Sequence, residues 1–453
     1  MQKQFIKIFS GENMKKDLNK ERQKKVSGSS NTFYDEEVKI TGERYTSKDF
    51  MEKELSKLWS KVWNIGGWSR ELEKEGDFIT HHIGRESILM VKDKNNSIKA
   101  YHNVCPHRGN RLVHVDSGYV KDFTCTYHGW KFNYSGELIY AQDAEDFPQG
   151  NPCGKVKLSE IPCEEYGGFI WYNMDKNCFP LRGFLGEVTK YIDLYDNKGL
   201  KRVYHKVCEV PFNWKALRDN FCESYHLPTT HPQISDYYDD DYKNTDFELY
   251  ETGHNLMKMK GSFPSLRNPE SFEMNEKLKA DLIYWNLNPK DFDGKAHLVR
   301  ESLQSQKKKI GEKKGFNHFK NLPSAWLTDA FHFNIFPGTS ITYTANVVSL
   351  QRTEPHPTDP NKSIYDHWGL ALKPNDSDLV ASPEDMVPWE EVEKKIVIFG
   401  EETLSDVADQ DLERASAQQL GFHSSGFNGA YLSGQENRVQ QFHNFIDRYI
   451  YER

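Results

Sequence analysis

Two short loops, each carrying one cysteine and one histidine, constrain the fold of this 453-residue chain more than any other feature. In the stretch CPHRGNRLVHVDSGYVKDFTCTYHGW, Cys105 and His107 form the first pair, and Cys125 and His128 form the second. Such pairs on neighbouring hairpin loops suit a [2Fe-2S] cluster in which one iron takes two thiolates and the other takes two imidazoles. A glycine follows each pair, where the loop backbone must pack closely around a bound group.

A tetrahedral zinc site would use the same residue types and is the alternative reading of these loops. A zinc finger usually groups cysteine with cysteine and histidine with histidine, whereas each loop here donates one of each. The pattern therefore favours the iron–sulfur cluster over zinc.

The residues around these loops predict a small all-β domain from about residue 67 to 175. Short apolar segments such as ESILMVK and SIKAYHNV flank a hairpin signal at 93–96. Before this domain, the stretch TSKDFMEKELSKLWSKVW has an apolar stripe at helical spacing, with Thr46 or Ser47 as its N-cap. We expect a disordered tail or arm at 1–32 and a helical segment at 33–66.

The second half of the chain mixes strands and helices without regular βαβ alternation, which predicts an α+β domain at 201–453 after a connector at 176–200. KRVYHKVCEV predicts a strand, and residues 331–356 predict two long strands joined at Pro337–Gly338. Helices are expected at about 389–420 and in GQENRVQQFHNFIDRYI. Residues 236–320 are expected to form a solvated insertion or a lid.

The stretch DNFCESYHLPTTH suggests a second metal site. A helix through Asn220, Glu223 and His226 would place these three side chains on one face. Pro228 disfavours helical geometry just before it, so His226 is expected at the helix end and His231 on the following turn. Two imidazoles and one carboxylate, with coordination positions left open, form the facial triad of non-heme Fe(II) oxygenases. Paired histidines near a helix end are also often structural.

A third ligand is predicted in LSDVADQDLERASAQQL, where apolar residues recur at helical spacing. Asp411 falls inside this stripe, while Asp406 and Asp409 point away from it. A carboxylate on a buried face is costly unless it is paired or bound to a metal. The alternative is a capping or salt-bridged aspartate in the core.

These motifs together resemble the terminal oxygenase, or α subunit, of the Rieske-type ring-hydroxylating oxygenases, from about residue 45 to the end. CPHRG, CTYHGW and NWKALRDNFCESYHLPTTH carry the resemblance most specifically, and DQDLERASAQQLG is a looser match. The resemblance implies a Rieske domain followed by a helix-grip catalytic domain. It also implies a mononuclear Fe(II) held by His226, His231 and Asp411, with Glu223 as the carboxylate between the two metal centres. Glu223 and Asn220 are the candidate catalytic residues.

The same resemblance implies a terminal oxygenase that hydroxylates an aromatic or other small organic molecule. It would use O2 and electrons from NAD(P)H through a reductase or ferredoxin. A homotrimer or α3β3 assembly is expected, in which the cluster of one chain serves the iron of a neighbouring chain. Glutamate at position 223, where ring dioxygenases usually have aspartate, resembles the branch that oxidises quaternary ammonium compounds such as carnitine.

A function of another class stays open, namely a Rieske electron carrier or sensor without catalytic iron. Such a carrier would have no use for Asp411 on a buried stripe. Net charge is −8, which argues against nucleic-acid binding. No apolar run reaches the length of a membrane-spanning helix. Without an export signal, the seven cysteines suggest a reducing, cytoplasmic location.

Overall fold

The structure is a computed structural model that describes residues 38–195, 197–268 and 270–452. The expected tail at 1–32 and the first residues of the expected helical segment lie outside the described residues. The described chain divides into two units. The β-rich unit comprises Ser47–Asp193, Glu354–Pro360 and the residues described after Asp447, and the mixed unit comprises residues 38–46, Leu194–Thr353 and Asn361–Asp447.

The β-rich unit begins with a helix whose start follows from local sequence. The hydroxyl of Ser47 accepts a hydrogen bond from the backbone N–H of Phe50 at 3.2 Å, and so caps the helix as predicted. The helical segment was expected to continue to residue 66, but it ends at Trp59, and a strand starts at Trp63. This strand pairs with the one at Phe169–Asn173. The tryptophan-rich last part of the predicted helical segment therefore forms a strand, because it pairs within a sheet.

The elements of this unit form three antiparallel sheets, ordered β1-β11-β10, β5-β2-β3-β4-β9 and β6-β7-β8. The helices up to this point are α1 Glu43–Thr46 (which belongs to the mixed unit), α2 Lys48–Lys53, α3 Leu181–Leu185 and α4 Thr189–Ile192. The strands are β1 Trp63–Trp68, β2 Asp77–Ile83, β3 Glu86–Lys92, β4 Ile98–His102, β5 Ser117–Tyr119, β6 Phe123–Thr124, β7 Lys131–Phe132, β8 Leu138–Tyr140, β9 Glu160–Ile161, β10 Cys163–Tyr166 and β11 Phe169–Asn173.

The mixed unit is built on one eight-stranded sheet, ordered β13-β14-β15-β16-β17-β18-β12-β21, beside a two-stranded β19-β20 ribbon. Its strands are β12 Lys201–Val210, β13 Asp246–Leu249, β14 Asn255–Met259, β15 Ala330–Ile335, β16 Thr339–Tyr343, β17 Val347–Pro355, β18 Ser363–Ala371, β19 Leu379–Ala381, β20 Met386–Pro388 and β21 Lys395–Ile398. Its further helices are α5 Trp214–Phe221, α6 Leu227–Thr230, α7 Pro232–Ser235, α8 Glu276–Tyr284, α9 Val299–Ile310, α10 Asp406–Phe422 and α11 Asn437–Asp447.

Two predictions for this unit are wrong in detail. Residues 331–356 hold three strands rather than two, because a second turn, in which the N–H of Thr344 donates to the carbonyl of Val347, separates β16 from β17. The helix expected from residue 389 begins only at Asp406, capped by the hydroxyl of Ser405. Before it, the β-branched run Ile396–Ile398 pairs in parallel with β12.

The region 236–320 contributes β13 and β14 to the sheet, and α8 and α9 bury leucines such as Leu278 and Leu303. It is therefore a packed part of the mixed unit rather than a solvated insertion. None of the described helices has the length and apolar character needed to cross a membrane.

Candidate metal centres

The two cysteine–histidine loops of the β-rich unit have the same backbone geometry. In the first, the N–H of Cys105 donates to the carbonyl of Asn110 at 2.7 Å, and the N–H of Gly109 donates to the carbonyl of Cys105 at 3.0 Å. In the second, Cys125 makes the same two bonds with Trp130 and with the glycine after His128, at 2.8 and 2.9 Å. The glycines have φ of 74° and 68°, a left-handed conformation that explains why the sequence has glycine in both loops.

The side chains of the loops divide into an inner and an outer pair. Cys105 and Cys125 belong to the hydrophobic core of the unit and are 1% and 2% exposed. The rings of His107 and His128 are more exposed and lie 4.7 Å apart between centroids. The His107 ring also stacks on Trp130, at 4.6 Å and an interplanar angle of 7°. The structure thus brings together two thiols and two imidazoles, the donor set that a Rieske cluster requires.

The two thiols have different electrostatic environments. Burial raises the pKa of the Cys105 thiol to about 11. Burial also acts to raise the pKa of Cys125, but hydrogen bonds from the backbone of Tyr127, the thiol of Cys105, the backbone of His128 and the amide of Asn110 together outweigh burial and lower that pKa. The amide of Asn110 donates to the Cys125 sulfur at 3.7 Å. All seven cysteines are free thiols.

The second site begins where α5 ends, and here the local prediction is wrong. Asn220, Glu223 and His226 do not share one helix, because α5 ends at Phe221. The carboxylate of Glu223 instead accepts the backbone N–H groups of Tyr225 and His226 and so stabilises the turn that leads into α6.

His226 is the N-cap of α6, and His231 follows its last residue. Pro228 lies at the second position of this helix, where a missing N–H costs nothing. The proline therefore belongs to the start of a new helix and does not mark the end of the previous one. The prediction applied the preference against helical geometry before a proline to the preceding helix. It did not foresee α6, because this helix is too short to leave a periodic pattern in the sequence.

His226, His231 and Asp411 lie together in the mixed unit. One possible ligand atom from each falls within 4.8 Å of the others, and within the described ranges these three form the one group compact enough to share a single metal ion. Nε2 of His231 lies 2.8 Å from Oδ1 of Asp411, and Nε2 of His226 lies 3.6 Å from the same oxygen. His231 and Asp411 are 1% and 4% exposed.

The burial of side chains along α10 distinguishes Asp411 from the neighbouring aspartates. Ala408, Asp411 and Leu412 face inward, whereas Asp406 is exposed. Asp409 accepts hydrogen bonds from the hydroxyl of Thr403 and the N–H of Leu404 at the helix start. Asp411 is the acidic residue of this turn that points to the two histidines, as its position in the apolar stripe predicts. Its role as a ligand stays a prediction.

Each triad residue is oriented by a hydrogen bond from outside the triad. Nδ1 of His226 bonds to Oε1 of Glu223 at 2.7 Å, and Nδ1 of His231 bonds to Oε1 of Gln410 at 2.7 Å. The amide of Asn220 donates to Oδ1 of Asp411 at 2.9 Å. With Nδ1 occupied, both imidazoles can present Nε2 to a metal. Gln410 was not predicted from the sequence, because it has no motif of its own and is marked only by its position next to Asp411.

The charges around His226 affect its protonation. Burial acts to lower the pKa of this imidazole, but the hydrogen bond and charge of Glu223 and the charge of Asp411 outweigh burial and raise it. A cation placed among these three groups would replace the proton that the two carboxylates favour. The donor set, two imidazoles and one carboxylate, fits a mononuclear non-heme iron.

Two family profiles match most of this chain. The Rieske [2Fe-2S] domain matches residues 62–151, and the ring-hydroxylating alpha subunit (catalytic domain) matches residues 198–452. The two matches confirm the predicted fold class, in which an all-β domain precedes an α+β domain.

Among curated proteins, the chain is similar to the carnitine monooxygenase oxygenase subunit of Acinetobacter baumannii, with 34% identity over 200 residues. This match covers 42% of the chain and 52% of that protein. It is also similar to the benzene 1,2-dioxygenase subunit alpha of Pseudomonas putida, with 34% identity over 196 residues, 41% of the chain and 42% of that protein. The chain spans about half the length of the curated relatives that it matches.

Solved structures of the same fold cover more of the chain. The quaternary ammonium Rieske monooxygenase CntA in complex with an inhibitor has a TM-score of 0.63 at 20% identity, over 91% of this chain and 95% of that one. Naphthalene 1,2-dioxygenase from Rhodococcus sp. bound to indole has a TM-score of 0.64 at 17% identity, over 97% of this chain and 98% of that one. At these identities the likeness establishes the fold.

Proposed function

This chain belongs to the ring-hydroxylating alpha-subunit family, with a Rieske [2Fe-2S] domain ahead of its catalytic domain, and we propose that it is a terminal oxygenase. It hydroxylates an aromatic or other small organic molecule with O2, using electrons from NAD(P)H that arrive through a reductase or ferredoxin. The observation that carries the proposal is the convergence of His226, His231 and Asp411, with both Nδ1 atoms already bonded.

The residues of the chain have separate tasks in this proposal. Cys105, Cys125 and the two loop histidines hold the [2Fe-2S] cluster, and the triad holds Fe(II). Iron bound at the triad supplies the activation of O2, and the cluster supplies single electrons.

The surrounding side chains keep the triad in position. Glu223 and Gln410 fix the orientation of the two imidazoles through Nδ1, and Asn220 fixes the rotation of the Asp411 carboxylate. Burial of His231 and Asp411 keeps bulk water away from the reacting groups.

We assign Glu223 a second task, as the bridge through which electrons reach the triad from the cluster of a neighbouring subunit in a homotrimer or α3β3 assembly. The carboxylate of Glu223 is already bonded to the ring of His226. A carboxylate in that position can also accept the free ring N–H of a cluster histidine.

A second candidate is oxidation or demethylation of a quaternary ammonium compound. The similarity to a carnitine monooxygenase subunit and the glutamate at position 223 favour it. The third possibility, an electron carrier without catalytic iron, has no use for a buried Asp411 that converges with two histidines whose Nδ1 atoms are both hydrogen-bonded.

Substrate-dependent consumption of NADH and O2, measured with a surrogate reductase across a panel of small organic molecules, tests this function. An oxygenase consumes O2 in response to one class of compound, and His231→Ala abolishes that response while the Rieske chromophore remains. A carrier would be reduced by the reductase in the same assay, and neither the panel nor the substitution would change its O2 consumption.

A further inference from the structure

A second buried polar cluster lies in the mixed unit on one face of β15 and β16. His332 and Asn334 of β15 lie opposite Thr342 and Ser340 of β16. Residues directly opposite one another, and residues two positions apart on a strand, share a face of the sheet. His332, Asn334 and Ser340 are buried, so this face is polar where an apolar core would be the ordinary outcome.

Two arginines point into this cluster, Arg218 from α5 and Arg438 from α11. They are 1% and 0% exposed. Arg218 donates to the hydroxyl of Ser340 at 2.7 Å, to the carbonyl of Thr339 at 3.1 Å and to the side-chain oxygen of Asn334. Every one of these acceptors is neutral.

Arg438 has a similar environment. It donates to the side-chain oxygen of Asn255 at 2.6 Å and to the carbonyl of His332 at 3.3 Å. Across the described residues, no carboxylate forms an ion pair with either Arg218 or Arg438. Burial lowers the pKa of both guanidinium groups to about 10, so both are charged at neutral pH.

The carboxylates nearest to Arg218 along the chain are engaged elsewhere. Asp219 bonds to the hydroxyl of Tyr45 and to His443, and Glu223 bonds to His226. Among the described residues, Nε of Arg218 and Nη1 of Arg438, both buried, have no hydrogen-bond partner. The described part of the chain therefore leaves two buried positive charges with spare N–H groups and without a carboxylate in ion-pair contact. This local deficit of negative charge is costly, since a buried charge is stable only when it is paired.

The polar cluster around the two arginines contacts the end of α5, the helix that leads to the triad. Nε2 of His332 bonds to the carbonyl of Phe221, the last residue of α5, at 2.9 Å. The pKa of His332 is held well below its ordinary value, first by burial and then by the charges of Arg438, Arg218 and His226. The residue before Phe221 is Asn220, whose amide donates to Oδ1 of Asp411 at 2.9 Å, so the cluster borders the helix end that orients the triad.

We propose that Arg218 and Arg438 bind the carboxylate of the substrate, so that the enzyme acts on organic acids. The inference rests on the proposed function, whose substrate class it names. Guanidinium groups match carboxylates with paired, charge-assisted hydrogen bonds, and the spare N–H groups are available for them. The same charges repel a simple cation. A quaternary ammonium substrate must therefore bring a carboxylate of its own, as carnitine does and choline does not.

The test measures binding to the purified holoenzyme as the rise in the thermal unfolding midpoint with added compound. Two matched pairs isolate the carboxylate: benzoate against benzamide, and carnitine against choline. At least one of the two carboxylates raises the midpoint, and its carboxylate-free partner does not.

Arg218→Met and Arg438→Met each weaken that binding by about 10-fold or more, because each removes charged hydrogen bonds to the ligand. Arg44→Met is the control, since Arg44 is also buried but has a carboxylate partner, Asp447, at 2.8 Å. It lowers the starting midpoint and leaves the carboxylate response intact. Comparing each variant with its own ligand-free midpoint separates binding from stability.

Three results would overturn the inference. Benzamide or choline could raise the midpoint as much as its carboxylate partner, or none of the four compounds could raise it. The carboxylate response could also be unchanged in both arginine variants. The inference would also be overturned if chloride raised the midpoint and benzoate added to the chloride-containing sample raised it no further, since the arginines would then hold a structural anion. None of these readings involves O2. Failure of the proposed oxygen chemistry would leave the binding result standing, and turnover of neutral compounds alone would remove this inference while keeping the proposed function.

Discussion

The four cluster residues come from two short loops of the β-rich unit, whereas the two triad histidines flank α6 and the triad aspartate comes from α10. Each loop is closed by backbone hydrogen bonds between its own residues, and the same pattern occurs twice. In the triad, His231 and Asp411 are 180 residues apart in sequence. Their approach depends on the packing of α5 against α10 through residues such as Leu217 and Leu412.

This difference separates a locally encoded site from one that depends on tertiary structure. The geometry of each loop is set by hydrogen bonds within the loop. Substitution of a cysteine ligand there should therefore affect both the cluster and the hydrophobic core to which the cysteines belong. The triad is held by side-chain bonds from Glu223, Gln410 and Asn220, so damage there should act on one metal and leave the rest of the chain folded.

The largest effect is expected for Cys125→Ser. This residue is a predicted cluster ligand and part of the hydrophobic core of the β-rich unit, and metal binding is coupled to folding. The visible Rieske absorption should disappear, and the thermal unfolding of the β-rich unit should occur at a lower temperature. Cys153→Ser, in a loop without a ligand pattern, serves as the control. An unchanged red-brown spectrum in Cys125→Ser would contradict the cluster assignment.

Glu223→Ala is expected to keep the cluster spectrum but to slow substrate-coupled turnover by about 10-fold or more. The measurement is a single turnover with added iron in excess: the cluster is reduced, substrate and O2 are added, and cluster reoxidation is followed. Glu413→Ala, an exposed glutamate of α10, should behave as wild type. Wild-type reoxidation by Glu223→Ala at full metal content would show that Glu223 does not couple the two centres.

A smaller effect is expected for Gln410→Ala, which removes the partner of Nδ1 of His231. Loss of such a partner typically weakens metal binding by about 10- to 100-fold. Iron titration of the metal-free triad measures this, and Gln418→Ala on the exposed side of the same helix provides the comparison. Equal affinities in the two variants would mean that Gln410 does not orient the ring.

The smallest effect is expected for Gly109→Ala in the first cluster loop. None of the described residues places a heavy atom within 4 Å of the added Cβ. The cost is therefore that of the left-handed backbone at φ 74°, about 1–2 kcal/mol in the free energy of unfolding of the β-rich unit. Gly421→Ala in α10, where the added Cβ also meets no atom within 4 Å, should instead stabilise the mixed unit by about 0.5–1 kcal/mol. Denaturant unfolding of both variants checks the opposite signs.

The loops could be predicted from sequence because their spacing and their glycines follow from local backbone geometry. The three triad residues were predicted, but the path of the backbone around the two histidines was not. The helix expected to reach His226 ends at Phe221, and Pro228 starts a helix of its own. Asp411 could be identified because a buried helical face leaves a periodic pattern over many residues.

Other features leave no such pattern. Gln410 matters because of what it contacts across the fold, and no spacing rule points to it. The burial of Arg218 and Arg438 is equally invisible in sequence, because arginine is ordinarily an exposed residue. The expected helix from residue 389 failed for a related reason, since pairing with β12 decides that Ile396–Ile398 is a strand.

Counting iron in Asp411→Ala and Asp409→Ala beside the wild type distinguishes a chain with two independent iron sites from a chain that holds only the cluster. The wild-type chain should bind about three irons, two in the cluster and one at the triad. Asp411→Ala should lose about one iron per chain with an unchanged Rieske spectrum, because the ligand sets belong to different units. Asp409→Ala, which removes only hydrogen bonds at the start of α10, should keep all three. Two irons in the wild type, or loss of the third iron in Asp409→Ala but not in Asp411→Ala, would contradict this account.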